Sequence, residues 1–210
     1  MQTQQSPRLN VIRTTGDAQH GADSSSVSGK LNHFLMAITT DSEKIFDLLG
    51  DVTSEFIRQA SSFDEEKINT APYTGSWTAA QVAEHVTKSN IDIEKQLSKE
   101  GRPCLRQPDV GVENIKSIFL NFQKKLDSPS FILPTTDLYE RDIVLSDLSM
   151  SVERLMDTAK KRDLFEIVHH AIFGEVTRLE SLYFVVYHTQ RHVHQLRRIH
   201  NLLESANTTT

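Results

Sequence analysis

Cysteine is almost absent from this chain, since Cys104 is the only one among 210 residues. A single thiol excludes a disulfide framework and a cysteine-rich zinc knuckle, because both need several cysteines at fixed spacings. It fits a reducing compartment. The first residues also lack the apolar stretch of a signal peptide, and no segment approaches the roughly 20 apolar residues that span a bilayer. We therefore expect a cytoplasmic protein that does not enter membranes.

An excess of positive charge is missing as well. The chain has 23 lysines and arginines against 28 aspartates and glutamates, and its formal net charge is −5. Proteins that bind nucleic acid draw much of their affinity from Lys and Arg contacts to phosphates. This balance argues against a nucleic acid partner. Hydrophobic residues make up 38% of the chain and charged residues 24%, which is ordinary for a globular protein.

Residues 1–30 differ in composition from the remainder of the chain. They are rich in Gln, Ser, Thr, Gly and Asp and lack a sustained apolar period. Such a segment cannot bury enough apolar surface to offset the entropy lost on ordering, so we predict a flexible tail. Residues 31–205 are enough for one domain with its own core.

Apolar residues at helical spacing predict four long helices after this tail. The first follows Asp41 or Ser42 and ends near Ala60, the second follows Thr78 and ends near 99, the third covers about 145–161, and the last follows Thr177 and ends near 203. Thr78 and Gln81 have the spacing of a capping box. No alternating pattern is strong enough to predict a sheet. The expected fold is therefore an all-α four-helix bundle.

A long connection separates the second and third predicted helices. Residues 101–145 contain several prolines and glycines and only one short helical pattern, at about 113–126. Connections of this length are uncommon unless they serve as lids or binding loops. We expect this segment to lie near the functional site.

The residues with the clearest chemical potential are His188 and His192 on the last predicted helix. Four residues are slightly more than one helical turn, so both rings lie on one face, with Cβ atoms about 5–6 Å apart. Phe184 and Leu196 lie on that face too, which directs the rings toward the bundle interior. Buried imidazoles need partners, either a metal ion or a hydrogen-bond network.

A metal site of this kind needs a third ligand. His85 is the first candidate, since it lies two turns into a helix with a well-defined start, while His169 and His170 lie in a predicted break. A zinc peptidase is excluded, because the general-base Glu of the His-Glu-x-x-His motif is replaced by Thr189. His194 and His200 fall off the ligand face.

Two stretches of the chain resemble the DinB/YfiT-like superfamily. The first is Trp77-Thr-Ala-Ala-Gln-Val-Ala-Glu-His85-Val, and the second is Phe173-Gly-Glu-Val-Thr-Arg-Leu-Glu-Ser-Leu followed by His188-x-x-Arg191-His192-x-x-Gln195-Leu. The similarity covers roughly residues 40–203. It implies a four-helix bundle that holds one divalent metal ion with His85, His188 and His192. The N-terminal extension and residues 101–145 depart from the family pattern.

What the resemblance implies is a metal site, with two kinds of reaction open. The ion, expected to be zinc or nickel, activates either a low-molecular-weight thiol, as in S-transferases, or water, as in hydrolases, toward a small-molecule substrate. Gln195 is the candidate residue for positioning the substrate or a bound water, and Arg191 is the candidate for contacting an anionic group of the substrate at the rim. No carboxylate falls on the ligand face. The alternative is a non-catalytic, metal-stabilised bundle that binds a small ligand or forms a homodimer through an apolar helix face.

Overall fold

The computed structural model describes residues 44–135 and 137–207, and all of them belong to one compact unit. The predicted tail, residues 1–30, lies outside these described residues. So do Asp41 and Ser42, the predicted start of the first helix. Among the described residues, no helix is both long and apolar enough to cross a membrane.

Five helices form most of the described structure. They are α1 (described over 44–60), α2 (Ala79–Ser98), α3 (Val112–Phe119), α4 (Arg141–Ala159) and α5 (Arg178–Asn207). The four long helices make a bundle, while α3 lies in the connection between α2 and α4. The prediction of an all-α four-helix bundle is confirmed. The third long helix begins earlier than expected, at Arg141, and the short helix ends at Phe119.

Two apolar clusters fill the bundle, one at each end. The first contains the end of α1, the starts of α2 and α4, and the end of α5; the second contains the opposite ends of the same helices. The membership of each cluster therefore gives the helix directions. α1 and α5 run one way, while α2 and α4 both run the other way.

This up-down-down-up order explains the length of the connection after α2. Because α2 and α4 are parallel neighbours, the chain has to return along the whole bundle before α4 can begin. Residues 99–140 make this return, and they contain α3 and a short 3₁₀ helix, Ser130–Ile132.

A small sheet lies just before α5, where no sheet was predicted. Strands β1 (Ile167–His170) and β2 (Gly174–Thr177) pair antiparallel, with His169 opposite Glu175. The expectation of a chain without a sheet was wrong. The sequences of the two strands, Ile-Val-His-His and Gly-Glu-Val-Thr, do not alternate apolar and polar residues. Gly174 permits the turn, since its φ of 69° lies in the left-handed region.

Both helices that carry the candidate histidines start with a reciprocal cap. The Thr78 hydroxyl accepts from the Gln81 amide and the Gln81 side chain accepts from the Thr78 amide, which confirms the predicted capping box. Thr177 and Glu180 repeat the arrangement at the start of α5. These caps fix where each helix begins, and hence where its histidines lie.

Glu180 also fastens the long connection to α5. Its side chain is fully buried, and its carboxylate accepts two hydrogen bonds from Arg106, at 2.7 and 2.5 Å, and one from the Gly111 amide at 2.7 Å. A Cβ on Gly111 would lie only 2.7 Å from the Glu180 carboxylate, so any larger residue there would displace the carboxylate from this position.

Candidate metal centre

Three histidines meet in the bundle between the two apolar clusters. His85 comes from α2, and His188 and His192 come from adjacent turns of α5. The Nε2 atom of His188 lies 3.1 Å from that of His85 and 3.1 Å from that of His192. All three side chains are buried, with 1%, 4% and 6% of the surface of His85, His188 and His192 exposed. The three residues predicted from the sequence are therefore brought together.

Hydrogen bonds on the far side of two rings fix their tautomers. The Nδ1 atom of His85 lies 2.9 Å from the carbonyl oxygen of Ile132, which can only accept, so Nδ1 carries the proton. The Nδ1 atom of His192 lies 2.8 Å from the side-chain oxygen of Gln195 and donates to it. Both rings therefore point an unprotonated Nε2 lone pair toward His188.

The middle histidine cannot satisfy both of these lone pairs. A neutral His188 carries one N–H, so at most one neighbouring Nε2 receives a full hydrogen bond from it. Its Nδ1 is buried and has no hydrogen-bond partner among the described residues. A cation is the partner that three converging imidazole lone pairs can share.

Two of the three separations between these nitrogens have the spacing expected around one small ion, and all three ligand atoms lie within 4.8 Å of one another. Ligand nitrogens about 2.0–2.1 Å from a common ion are roughly 3.0–3.4 Å apart at ordinary coordination angles. The two 3.1 Å separations fall in this range.

Burial keeps these imidazoles in the neutral form that ligates metals. It lowers the pKa of His85 below its ordinary value and that of His192 to about 3. Burial, together with the neighbouring His192 and His85, holds the pKa of His188 well below the usual range. Each ring is therefore neutral at pH 7, as metal binding requires.

No fourth protein ligand joins the three histidines within the described part of the chain. The group of metal-ligating side chains found there contains no Cys, Asp or Glu. Structural zinc sites are closed by four protein ligands, whereas catalytic sites use three and leave one position for water or substrate.

The two residues expected to contact substrate have other contacts. The side-chain oxygen of Gln195 accepts a hydrogen bond from Nδ1 of His192. Arg191 donates to the main-chain carbonyls of Phe119, Asn121 and Lys124, and so ties the segment after α3 to α5.

The remaining candidate histidines are not part of the group. His169 is exposed, whereas His170 is buried with its ring 4.7 Å from that of Phe184. His194 is exposed and stacks on Phe122, which agrees with its predicted place off the ligand face.

The sequence patterns assigned no role in the site to several of its parts. The carbonyl of Ile132 is a main-chain group, and any residue at that position would supply it. The rings of Phe184 and Phe119 lie 5.2 and 5.8 Å from that of His188, and the ring of Trp77 lies 4.9 Å from that of His85. A sequence pattern of aromatic residues at helical spacing predicts core packing. Here the aromatic rings form an apolar wall around the three imidazoles.

Comparison with known proteins places this architecture in a family. The model of the DinB superfamily matches residues 48–196, which includes all three histidines. The chain belongs to the DinB superfamily. The resemblance found in the two sequence motifs is therefore confirmed.

One relative and two solved structures are similar to this chain in sequence or in fold. The chain is 22% identical to YuaE of Bacillus subtilis (strain 168), an uncharacterized protein, over 170 residues that cover 76% of this chain and 99% of YuaE. TT2238, a four-helix bundle protein, superposes with a TM-score of 0.51 and 18% identity over 75% of this chain and 98% of its own. YfiT from Bacillus subtilis superposes with a TM-score of 0.50 and 15% identity over 78% and 87% of the two chains. YfiT is described as a probable metal-dependent hydrolase with an unusual four-helix bundle topology.

Proposed function

We propose that this DinB superfamily protein is a metal-dependent enzyme acting on a small molecule, with a divalent cation held by His85, His188 and His192. The observation that carries the proposal is the convergence of three buried Nε2 atoms. Two of these atoms are unprotonated, because the Nδ1–H groups of His85 and His192 donate to Ile132 and Gln195. A cation held there would act as a Lewis acid that lowers the pKa of a water or thiol at the site.

The reaction we propose first is hydrolysis. YfiT, which has the same fold, is described as a probable metal-dependent hydrolase. Three protein ligands without a fourth among the described residues also match the ligand set of catalytic sites. In this chain, His85 and His192 would ligate the cation through their unprotonated Nε2 atoms. The apolar wall of Phe184, Phe119 and Trp77 would exclude bulk water.

Thiol transfer is the second candidate, and one observation favours it. Within the described residues, no Asp or Glu joins the three histidines to serve as a general base. A thiol needs no such base, because its pKa is already close to neutrality and falls further beside a cation. The substrate would then be an electrophilic small molecule together with a low-molecular-weight thiol.

Metal content tests the site itself. Purified untagged protein, stripped with a chelator and reloaded separately with zinc and with nickel, should bind one ion per chain. We expect His188→Ala to bind none, while His194→Ala, a histidine on an exposed position of the same helix, should bind as the natural chain does. Undiminished binding by His188→Ala would show that the ion lies elsewhere.

Activity screens then separate the two reactions from a non-catalytic bundle. The loaded protein is assayed with chromogenic esters and amides for hydrolysis, and with a reactive electrophile plus a low-molecular-weight thiol for transfer. We expect activity that disappears in His188→Ala and persists in His194→Ala. Full metal loading without turnover in either screen would favour the metal-stabilised binding module.

A further inference from the structure

A fourth buried histidine, His170, lies outside the three-histidine group. It ends strand β1, where successive side chains point to opposite faces. Its neighbour His169 is exposed, whereas His170 is only 2% exposed and its ring contacts those of Phe173 and Phe184. A buried imidazole in apolar surroundings requires hydrogen-bond partners for both of its nitrogens.

Among the described residues, only one nitrogen of His170 has a hydrogen-bond partner. Its Nδ1 accepts from the amide of Ile172 at 3.0 Å and from that of Phe173 at 3.4 Å, so the proton of the neutral ring is on Nε2. This Nε2–H is a buried donor without an acceptor among the described residues. Such a group costs free energy unless a ligand or water supplies the acceptor.

His170 lines a narrow cleft between α2, the long connection and the β1–β2 turn. The other lining residues are Ser89, Asp92, Ile93, Pro129, Phe131, Ile132, Ala171, Ile172 and Phe184. The cleft has a volume of about 10 Å³, which is room for one water-sized group. At its edge, Phe131 and Ile172 are 54% and 49% exposed, so the rim is apolar.

The cleft and the three-histidine group share two walls. The ring of Phe184 lies 4.7 Å from that of His170 and stacks 5.2 Å from that of His188. Ile132 lines the cleft, and its carbonyl accepts the hydrogen bond from His85. A group held in the cleft therefore lies beside the candidate metal centre.

We propose that this cleft binds the carbonyl oxygen of a neutral ligand with an apolar substituent, and that the Nε2–H of His170 donates to that oxygen. Asp92 is the only charged residue in the described lining, so a carboxylate would be repelled and a neutral carbonyl favoured. The apolar substituent would lie on Phe131 and Ile172. The inference rests on the proposed function in taking this ligand as the substrate of the metal centre.

Titration of the full chain with benzamide tests this inference, with benzoate as the charged counterpart. In protein labelled with ¹⁵N-histidine, the Nε2 resonance of His170 should shift in a saturable way with benzamide and much less with benzoate. An unchanged His170 resonance would overturn the proposal and leave water as its partner. This measurement uses the natural chain and needs no variant to fold.

Two variants sharpen the test. His170→Phe keeps an aromatic ring and removes the donor, so benzamide should bind roughly three- to tenfold more weakly. His169→Phe changes the exposed neighbour and should leave binding unaltered. Equal benzamide affinity in the two variants would contradict the role of His170.

Metal analysis on the same samples separates this inference from the proposed function. Wild type and both variants should carry one ion per chain, because neither His169 nor His170 belongs to the three-histidine group. A His170 shift in protein that binds no metal would support the cleft and refute the metal enzyme. Metal loading without the His170 shift would support the metal site and refute the proposed ligand of the cleft.

Discussion

The Nδ1–H of His85 donates to the carbonyl oxygen of Ile132 at 2.9 Å, although the two residues are 47 positions apart. His85 lies on α2, and Ile132 lies in the connection that leaves α2 and returns along the bundle. The connection exists because α2 and α4 run in parallel. On its return path the connection places the Ile132 carbonyl beside His85, a residue of α2, where the connection began. The geometry of the site therefore depends on the topology of the bundle.

Gln195 should influence metal affinity through His192, whose Nδ1–H it accepts. Groups that orient a ligating histidine in this way change metal affinity by about 10- to 100-fold when they are removed. We expect Gln195→Leu to weaken binding by that factor, because Leu offers no acceptor. Gln195→Glu retains an acceptor and should remain close to the natural affinity. Competition with a chromogenic chelator measures both, and natural affinity in Gln195→Leu would refute the role.

Glu84 should act on the site through the connection. Its carboxylate accepts from the Thr135 amide at 2.7 Å and from the Tyr139 hydroxyl at 2.6 Å, and so holds the chain just after Ile132. We expect Glu84→Ala to weaken metal binding about tenfold, since the carbonyl that orients His85 loses its support.

A matched control for Glu84 is Glu113→Ala on α3, because the side chain of Glu113 forms an exposed ion pair with Lys116. It should bind metal as the natural chain does. If Glu84→Ala lowers thermal stability but leaves metal affinity intact, the network is structural and does not position His85.

The sequence was sufficient to locate the three histidines because each lies on a helix with a regular apolar period and a recognisable cap. His188 and His192 share a helix face by spacing alone, and the motif around His85 supplied the third member. Apolar periodicity shows which face of a helix is buried but not which helix covers it. The parallel arrangement of α2 and α4 was therefore not predictable from local patterns.

The parts that escaped prediction are those without a side-chain signature. The Ile132 carbonyl belongs to the main chain, and the sequences of β1 and β2 do not alternate apolar and polar residues. Gln195 was expected to contact substrate or water because it lies on the ligand face. Its bond to His192 depends on a side-chain rotation that helix geometry does not determine.

The tail prediction concerns residues outside the described structure and is tested by deletion. Residues 1–30 lack an apolar period, so we expect them to add no core contacts. A chain that begins at residue 31 should melt within about 2 °C of the full chain. Differential scanning calorimetry measures this, and a drop of about 5 °C or more would make the segment part of the core.

Acid should destabilise the metal-free protein through its buried histidines. Burial lowers the pKa of His170 to about 4 and that of His192 to about 3, from an ordinary value of 6.5. Between pH 6.5 and pH 4 the unfolded chain therefore binds more protons than the folded chain. The free energy of unfolding is then greatest above pH 6.5 and falls as the pH is lowered through this window.

Urea unfolding with a chelator present, at about pH 7 and about pH 5, measures this loss. His170→Phe removes one of the linked groups, so the difference between the two pH values should be smaller than in the natural chain. His169→Phe alters an exposed histidine and should keep the full difference. Equal losses in all three proteins would mean that His170 titrates near its ordinary pKa.

Glu180 should contribute strongly to the stability of the bundle, whereas a nearby glutamate should not. Glu180 is fully buried and pairs with Arg106, so Glu180→Ala removes the carboxylate that accepts from the guanidinium, the Gly111 amide and the Thr177 amide. Removing one partner of such a pair costs about 3 kcal/mol of unfolding free energy. Glu175 pairs with Arg102 on the surface, where both side chains are more than half exposed, and Glu175→Ala should cost less than about 1 kcal/mol. Urea denaturation compares the two directly, and equal losses would show that burial of Glu180 adds nothing to its pairing with Arg106.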